Sequence, residues 1–461
     1  MKRQTWSSQL TYILTVAGAT IGFGATWRFP YMVGEHGGGA YVLVFCIAMI
    51  LIGVPMILVE NVIGRRAHTN SVDAFGPKAQ NIPITRAWKI LGYMGMIGSF
   101  GIMAYYMVLG GWVISYIVNI AGSLFGMQGS LDLSTPITKE ATSAFYYESI
   151  EHSPFMIGLY TFIFVAINWF ILRKGVIDGI ERSMKYLMPL LLICLIGMVV
   201  RNLTLDGALA GVKFYLIPDF SKITPSIFLY VLGQVFFALS LGFGVMITLS
   251  SHLNKKEQLF KTAAITGIIN TIIAVMAGFM IFPSLFSVGL EPDSGPSLVF
   301  KSLPIAFSQM QFGSFFAIVF FVLLLTAALA TSITIYQVII SVLQEKFHFS
   351  KNSAINATLI GIFLLGNIPC VLTYGPWEDI RIFGRNIFDA FDFISGNIFF
   401  VLTALGSSIF VGWVLNREAI KELDNGKQEP SMLARIWLGY VRYIIPFVIL
   451  AVFISGFIIK V

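Results

Sequence analysis

Residues 18–30 read GATIGFGATWRFP. The segment sits within an apolar run, yet it holds Gly18, Gly22, Gly24, two threonines, Arg28 and Pro30. Glycine loosens a helix, and proline removes a backbone donor and clashes with the preceding turn. The pattern therefore predicts a helix that breaks and then resumes. What a break is for depends on the rest of the chain.

The chain has 461 residues, of which 57% are hydrophobic and 11% charged. A soluble domain carries about 25% charged residues. Apolar stretches of about 20 residues recur along the whole length, so the class is polytopic membrane protein. Eleven spans are predicted, at about 9–34, 39–64, 89–121, 154–172, 179–201, 226–253, 259–288, 313–347, 354–373, 384–415 and 437–459. Most of the 30 lysines and arginines fall on the side of the N-terminus, including Arg65, Arg66, Arg173, Lys174, Lys255, Lys256, Arg417 and Lys421. That excess predicts a cytoplasmic N-terminus, and an outer C-terminus if the count is eleven. It also accounts for the net charge of +7 without nucleic acid. MKRQTWSSQL leads into an apolar stretch too long for a signal h-region, so no cleavable signal is expected. Cys46, Cys194 and Cys370 all lie in apolar stretches, which points to packing. No separate soluble domain is expected. The polar outer segment 122–153 suits a loop with a short helix.

A second triplet, Gly242-Phe243-Gly244, follows 220 residues after Gly22-Phe23-Gly24, within FFALSLGFGV. Both lie at matching places in successive five-span blocks. Five is odd, so the second block enters the membrane from the opposite side. Paired breaks in inverted repeats point to a transport site at the midplane. One triplet alone would signify only close helix packing. Trp27 stands where a nucleotide-binding fingerprint needs its third glycine, and no strand precedes it. The repeats are placed at 9–201 and 226–415, with 437–459 as an additional helix, in one domain covering 1–461.

Ionisable groups inside a bilayer cost at least ~2.5–3.5 kcal/mol. Arg28, Glu60, Asp389 and Asp392 meet that condition. Arg28 and Asp392 suit a gate across an outer vestibule; the alternative is a snorkelling arginine and a helix-capping aspartate. Glu60 suits a carboxylate that accepts from backbone freed at the breaks, with proton carrying as the alternative. A broken helix offers N–H groups to a carboxylate and carbonyls to an ammonium or cation. Tyr106 can add a hydroxyl donor. No catalytic pair or metal-binding histidine cluster suggests an enzyme.

Residues 22–64, GFGATWRFPYMVGEHGGGAYVLVFCIAMILIGVPMILVENVIG, carry WRFPY, then GGGA, then Gly-x-Pro with Glu60 seven residues after Gly53. With FFALSLGFG and GIERSMKYLMP (179–189), they resemble the neurotransmitter:sodium symporter family over nearly the whole chain. The resemblance implies an all-α LeuT-like fold: two inverted five-helix repeats, helices 1 and 6 broken, about 11 transmembrane helices. It implies that a substrate carboxylate meets Tyr106 and the backbone of Gly22 and Gly24. The amine would meet carbonyls of Thr20, Phe237 and Ala238 and the Ser240 hydroxyl. Ile102, Phe237, Phe243, Thr331 and Ile335 would line the side-chain pocket. Arg28 and Asp392 would form the outer gate, with Tyr106 and Phe237 as a lid. Arg3, Trp6, Ser251 and Glu345 would form the inner gate. His252 stands where the family usually has tyrosine. An aspartate that monoamine carriers place at Gly22 is absent, which favours an amino acid with its own carboxylate.

Two departures concern ions. The family's first sodium site uses side-chain oxygens at the positions of Ala25, Ala238 and Asn270, and only Asn270 keeps one. Its anion site is replaced by Phe45 and Ala274. Losing cation ligands and anion together avoids an uncompensated buried charge. Chloride is therefore not expected, and the first sodium site is expected to be lost. Gly18, Ile21, Ala327 and Thr331 could still hold one Na+ at the second site, although Ala330 removes a hydroxyl there. The expectation is a secondary transporter in the inner (plasma) membrane, importing a neutral amino acid by alternating access with at most one sodium. The alternative is a sodium-independent or proton-linked exchanger or uniporter of an amino acid or related amine. A sensor that binds without transport is a further rival class. The expected partners are the small-molecule substrate and the lipid bilayer, with no nucleic acid.

Overall fold

The structure is a computed structural model that describes residues 5–127, 129–292, 297–426 and 429–458. Its elements are α1 (Gln9–Thr20), α2 (Gly24–Glu35), α3 (Gly39–Ala67), α4 (Arg86–Ser123), α5 (Lys139–Tyr146), α6 (Pro154–Leu172), α7 (Val176–Leu203), α8 (Ala208–Leu216) and α9 (Pro225–Ala238). They continue with α10 (Val245–Ser250), α11 (Leu259–Ser287), α12 (Leu298–Ser308), α13 (Gly313–Glu345), α14 (Lys351–Leu372), α15 (Ile387–Leu415), α16 (Arg417–Leu423) and α17 (Met432–Ile458).

Among the described residues, nine helices are long and apolar enough to cross a membrane. The pair α1 and α2, bent by 55°, makes a tenth. The predicted sixth span consists of α9 and α10, each too short to cross alone, joined by a turn at residues 239–244. Among the described residues the eleven predicted segments are thus all found as helix, the first and the sixth each in two halves. The last helix starts at Met432, before the predicted 437. Helix α8 was not predicted. It packs on α11, where Tyr215 donates to the Val275 carbonyl at 2.9 Å. The outer segment 122–153 does hold a short helix, α5.

Prolines shape several spans. Wide-turned stretches at Gly24–Arg28, Met49–Gly53, Leu298–Ser302 and Phe363–Asn367 each end two residues before a proline: Pro30, Pro55, Pro304 and Pro369. A proline ring clashes with the carbonyl four residues back and donates no bond to it. Inserting a wide turn absorbs both defects without ending the helix.

The start of α1 is fixed by a reciprocal cap. Ser8 Oγ accepts from Thr11 N–H at 3.2 Å, and Ser8 N–H donates to Thr11 Oγ1 at 3.1 Å. Helix α4 is the interior post: 89% of its apolar window is buried, against 28% for α7, which faces lipid. Glycines let α4 sit that close. A Cβ on Gly110 would come within 2.4 Å of the Phe164 ring. Cys370 is buried, whereas Cys46 and Cys194 are only half-buried, and all three are unpaired thiols.

Candidate functional site

Both glycine triplets coincide with helix breaks. The first span unwinds at residues 21–22, between α1 and α2; the second break runs through residues 239–244. The glycines are needed for different reasons. Gly242 has φ +82°, and a Cβ there would lie 2.3 Å from the Phe400 carbonyl oxygen. Gly22 is limited by space: a Cβ would lie 2.3 Å from Tyr106 Oη and 2.4 Å from Thr331 Oγ1.

A break bares backbone groups that lipid cannot satisfy. Side chains from neighbouring spans meet them here. Glu60, fully buried, accepts from Gly242 N–H at 2.7 Å. Tyr106 Oη accepts from Phe23 N–H at 3.3 Å. Ser240 donates to the Ala19 carbonyl at 3.0 Å and Thr331 to the Gly18 carbonyl at 3.0 Å. Gln234 donates to the Gly24 carbonyl at 2.7 Å. The Asn270 amide donates to the Thr20 carbonyl at 3.0 Å and, more weakly, to the Ala238 carbonyl at 3.4 Å. Asn270 Oδ1 is buried with no partner among the described residues.

Between the breaks lies a pocket enclosing about 10 Å³. Thr20, Gly22, Gly24, Ile102, Tyr106, Phe237, Ser240, Phe243, Thr331 and Ile335 all line it, together with Ala19 and Phe23. Every expected substrate contact is thus gathered there except Ala238, whose backbone reaches Asn270 instead. No charged side chain lines it. A volume of that size holds about one water, so a larger occupant requires the walls to part.

A second cavity of about 210 Å³ sits next to the first. Tyr106, Phe23 and Phe237 line both and separate them. Arg28 and Asp392 line this outer cavity but make no direct ion pair. The Arg28 guanidinium lies 4.4 Å from the Phe237 ring centroid, and Asp392 accepts from Tyr105 Oη at 2.6 Å. The two expected gate residues thus face one vestibule without a direct bridge: an aromatic face and a phenol occupy the two groups. Asp389 and Tyr105 line the same cavity and were not singled out as gate residues.

At the opposite end, Trp6 Nε1 donates to the Leu249 carbonyl at 3.0 Å and its ring lies 5.9 Å from that of His252. The Ser251 hydroxyl turns inward to the Thr248 carbonyl, and the Ser251 carbonyl accepts from His68 Nδ1 at 3.0 Å. Glu345 accepts from Asn70 N–H at 2.7 Å and from Thr69 Oγ1 at 3.2 Å. Arg3 lies outside the described residues. Two further groups at this end were missed. Glu181 accepts from Ser7 N–H at 3.3 Å, tying the N-terminal segment to α7. Arg65, 1% exposed, pairs with Glu422 at 2.6 Å and donates to the Glu257 carbonyl at 2.6 Å. Glu181 lies inside the quoted GIERSMKYLMP stretch and Arg65 directly after residues 22–64, but neither segment tells what they pair with.

Comparison with known proteins adds what geometry alone does not. The profile of the Sodium:neurotransmitter symporter family matches residues 3–128 and 141–461. The chain belongs to that family. An uncharacterized sodium-dependent transporter of Haemophilus influenzae is 64% identical over 457 residues, covering 99% of this chain and 98% of its own. The transporter YhdH of Bacillus subtilis, also uncharacterized and sodium-dependent by name, is 36% identical over 98% of this chain and 97% of its own. Among solved structures, MhsT in complex with L-phenylalanine matches with TM-score 0.87 and 36% identity, over 98% of this chain and all of that one. The fold is therefore LeuT-like. The symporter is a multi-pass membrane transporter and not an enzyme.

Family membership raises the question of which cations the remaining oxygens fit. At the first site, Ala25 and Ala238 offer no side-chain oxygen, and the Asn270 amide already bridges the Thr20 and Ala238 carbonyls. At the second site Thr331 Oγ1 and the Gly18 carbonyl oxygen lie 3.0 Å apart. Ile21 and Ala327 are fully buried on the same two elements. The Phe45 ring lies tilted against that of Phe29, centroids 4.5 Å apart, and Ala274 is fully buried, so both positions are apolar.

Proposed function

We propose that this symporter imports a neutral amino acid by alternating access, coupled to one sodium ion at the second site and independent of chloride. The observation that carries the substrate class is the inner pocket. Its walls are neutral, and both poles of a zwitterion find partners there. Tyr106 Oη and the backbone at Gly22 and Gly24 suit the carboxylate. The Thr20 carbonyl and the Ser240 hydroxyl suit the amine. Ile102, Phe243 and Ile335 leave only apolar surface for the side chain. Burying a charged side chain there without a partner would be costly. The phenylalanine held by MhsT belongs to the same class of ligand.

The proposed cycle follows from the two ends. Phe237 separates the outer cavity from the pocket, and the Arg28 guanidinium rests on its ring. Lifting that pair opens the pocket outward. On the other side Trp6, Glu181 and Glu345 fasten the N-terminal segment and the Thr69–Asn70 loop to α7, α10 and α13. Releasing them opens it inward. Sodium would favour the closed arrangement by joining α1 to α13 across Gly18 and Thr331. The repeats 9–201 and 226–415 are proposed to rock about this site. The excess of basic residues on one side supports a cytoplasmic N-terminus, and the protein is proposed to sit in the inner (plasma) membrane.

The test is a thermal-shift screen of amino acids on the purified protein in sodium and in potassium, followed by uptake into proteoliposomes. Stabilisation and uptake of a neutral amino acid, both requiring sodium, support the proposal. Equal uptake with and without a sodium gradient favours the alternative, an exchanger or uniporter independent of sodium. Binding without counterflow would indicate a sensor.

A further inference from the structure

A third cavity, of about 730 Å³, lies far from the substrate path, where the end of α15, the short helix α16 and the start of α17 meet. Four basic side chains line it: Arg417, Lys421, Arg435 and Arg442. No carboxylate does. Their partners are few. Lys421 pairs with Glu418 at 2.7 Å. Arg442 uses Nε to reach the Gly412 carbonyl at 2.7 Å and lays its guanidinium 5.2 Å from the Trp413 ring. The side chains of Arg417 and Arg435 make no ion pair or hydrogen bond with any described residue. Four like charges around one cavity repel one another unless an anion is shared among them.

The surroundings identify what kind of anion. Ile420 and Leu438 give the cavity an apolar floor. On the adjoining outer surface of α15 and α17, Trp413 is 55% exposed and Ile436 58%. Met432, Leu433 and Tyr443 are exposed beside them. On spanning helices such faces meet acyl chains, and tryptophan and tyrosine mark the interface level. A small soluble anion would use the arginines but not the apolar floor or the flank. We propose that this cavity binds the headgroup of an anionic phospholipid, with its phosphate between Arg417, Arg435 and Arg442 and its chains along α17. Basic pockets between span ends are suited to such headgroups. Bound there, the lipid would hold α16 against α17. Arg65 anchors that same helix through Glu422.

The test uses full-length protein in uncharged detergent. Retained lipid is counted by native mass spectrometry after exposure to phosphatidylglycerol or phosphatidylcholine of matched chains, and melting is followed in parallel. Wild-type protein is expected to retain phosphatidylglycerol preferentially. Each arginine near an anionic headgroup contributes about fivefold in affinity, so R417Q/R435Q should lose about 25-fold. The single variants, each down about fivefold, serve if the double variant does not fold. K255Q/K256Q removes two exposed charges at the same end outside the cavity and should change retention little. Equal retention of both lipids, or equal loss in the two double variants, would overturn the proposal. Stabilisation by millimolar inorganic phosphate matching that by phosphatidylglycerol would overturn it in favour of a soluble anion.

Discussion

Replacing Asn270 by alanine tests whether a neutral amide has taken over the place of a cation. In the structure Asn270 donates to the Thr20 carbonyl at 3.0 Å and to the Ala238 carbonyl at 3.4 Å. The first is a normal hydrogen bond and the second is at the weak limit. All three residues are buried. Asn270→Ala strands the Thr20 oxygen and weakens the junction between the two breaks. An unsatisfied buried acceptor costs about 1–3 kcal/mol, and polar contacts between membrane helices average nearer 0.6. A loss of about 1–3 kcal/mol is expected, read as a fall of several degrees in melting temperature in detergent. The decisive feature is its ion dependence. The wild-type protein and Asn270→Ala are each melted in sodium and in potassium, with and without a stabilising amino acid. Because the amide is the donor, the loss should be the same in both salts. The stabilisation by sodium, arising at Gly18 and Thr331, should survive the substitution. If Asn270→Ala removes the sodium effect and costs nothing in potassium, Asn270 is a cation ligand and the reasoning fails.

Three further outcomes are expected. Gly22→Ala places a Cβ 2.3 Å from Tyr106 Oη and 2.4 Å from Thr331 Oγ1. Overpacking of about 1–3 kcal/mol at those two groups should weaken amino-acid binding about 5- to 160-fold, read as a smaller ligand-induced thermal shift; undiminished binding would refute the close approach. Tyr106→Phe removes one donor to the substrate carboxylate, worth about 1.5–3 kcal/mol, so the amino acid should bind about 10- to 150-fold more weakly by titration calorimetry. Asp73, on the loop joining α3 to α4, receives Lys89 Nζ at 2.6 Å, Asn70 Nδ2 at 3.1 Å and Lys346 Nζ at 3.4 Å. Burial pushes its carboxyl up, but these partners outweigh that and hold it below its ordinary value. A depressed carboxylate stabilises the fold above its unfolded value of about 3.9 and loses that contribution as pH falls through the folded value. Wild-type protein should therefore exceed Asp73→Asn by about 1 kcal/mol or less at pH 7. The gap should close below about pH 4 in a pH series of melts.

The breaks were legible because two glycine triplets repeat at one place in each half, and a glycine needed for space or positive φ leaves few substitutes. The pocket lining came from the resemblance to the family, carried over onto positions at those breaks and on α4 and α13. What the sequence did not disclose is who pairs with whom. Arg28 and Asp392 look like partners, but Phe237 and Tyr105 are nearer in space, and no local pattern encodes such distances. Helix α8 was passed over because its nine residues are too short for a span. Arg65 and Glu422 stand 357 positions apart, so their buried bridge exists only in three dimensions. That Ala25 and Ala238 bring no side-chain oxygen was legible without a structure, since an alanine side chain carries none wherever it is placed.

The central claim is that one sodium accompanies each amino acid. The direct measurement is the ratio of labelled sodium to labelled substrate taken up by proteoliposomes under identical gradients. The account predicts one sodium per substrate, with uptake rising hyperbolically with sodium and unchanged when chloride is replaced by gluconate. Two sodium ions per substrate, or uptake indifferent to sodium, would contradict it.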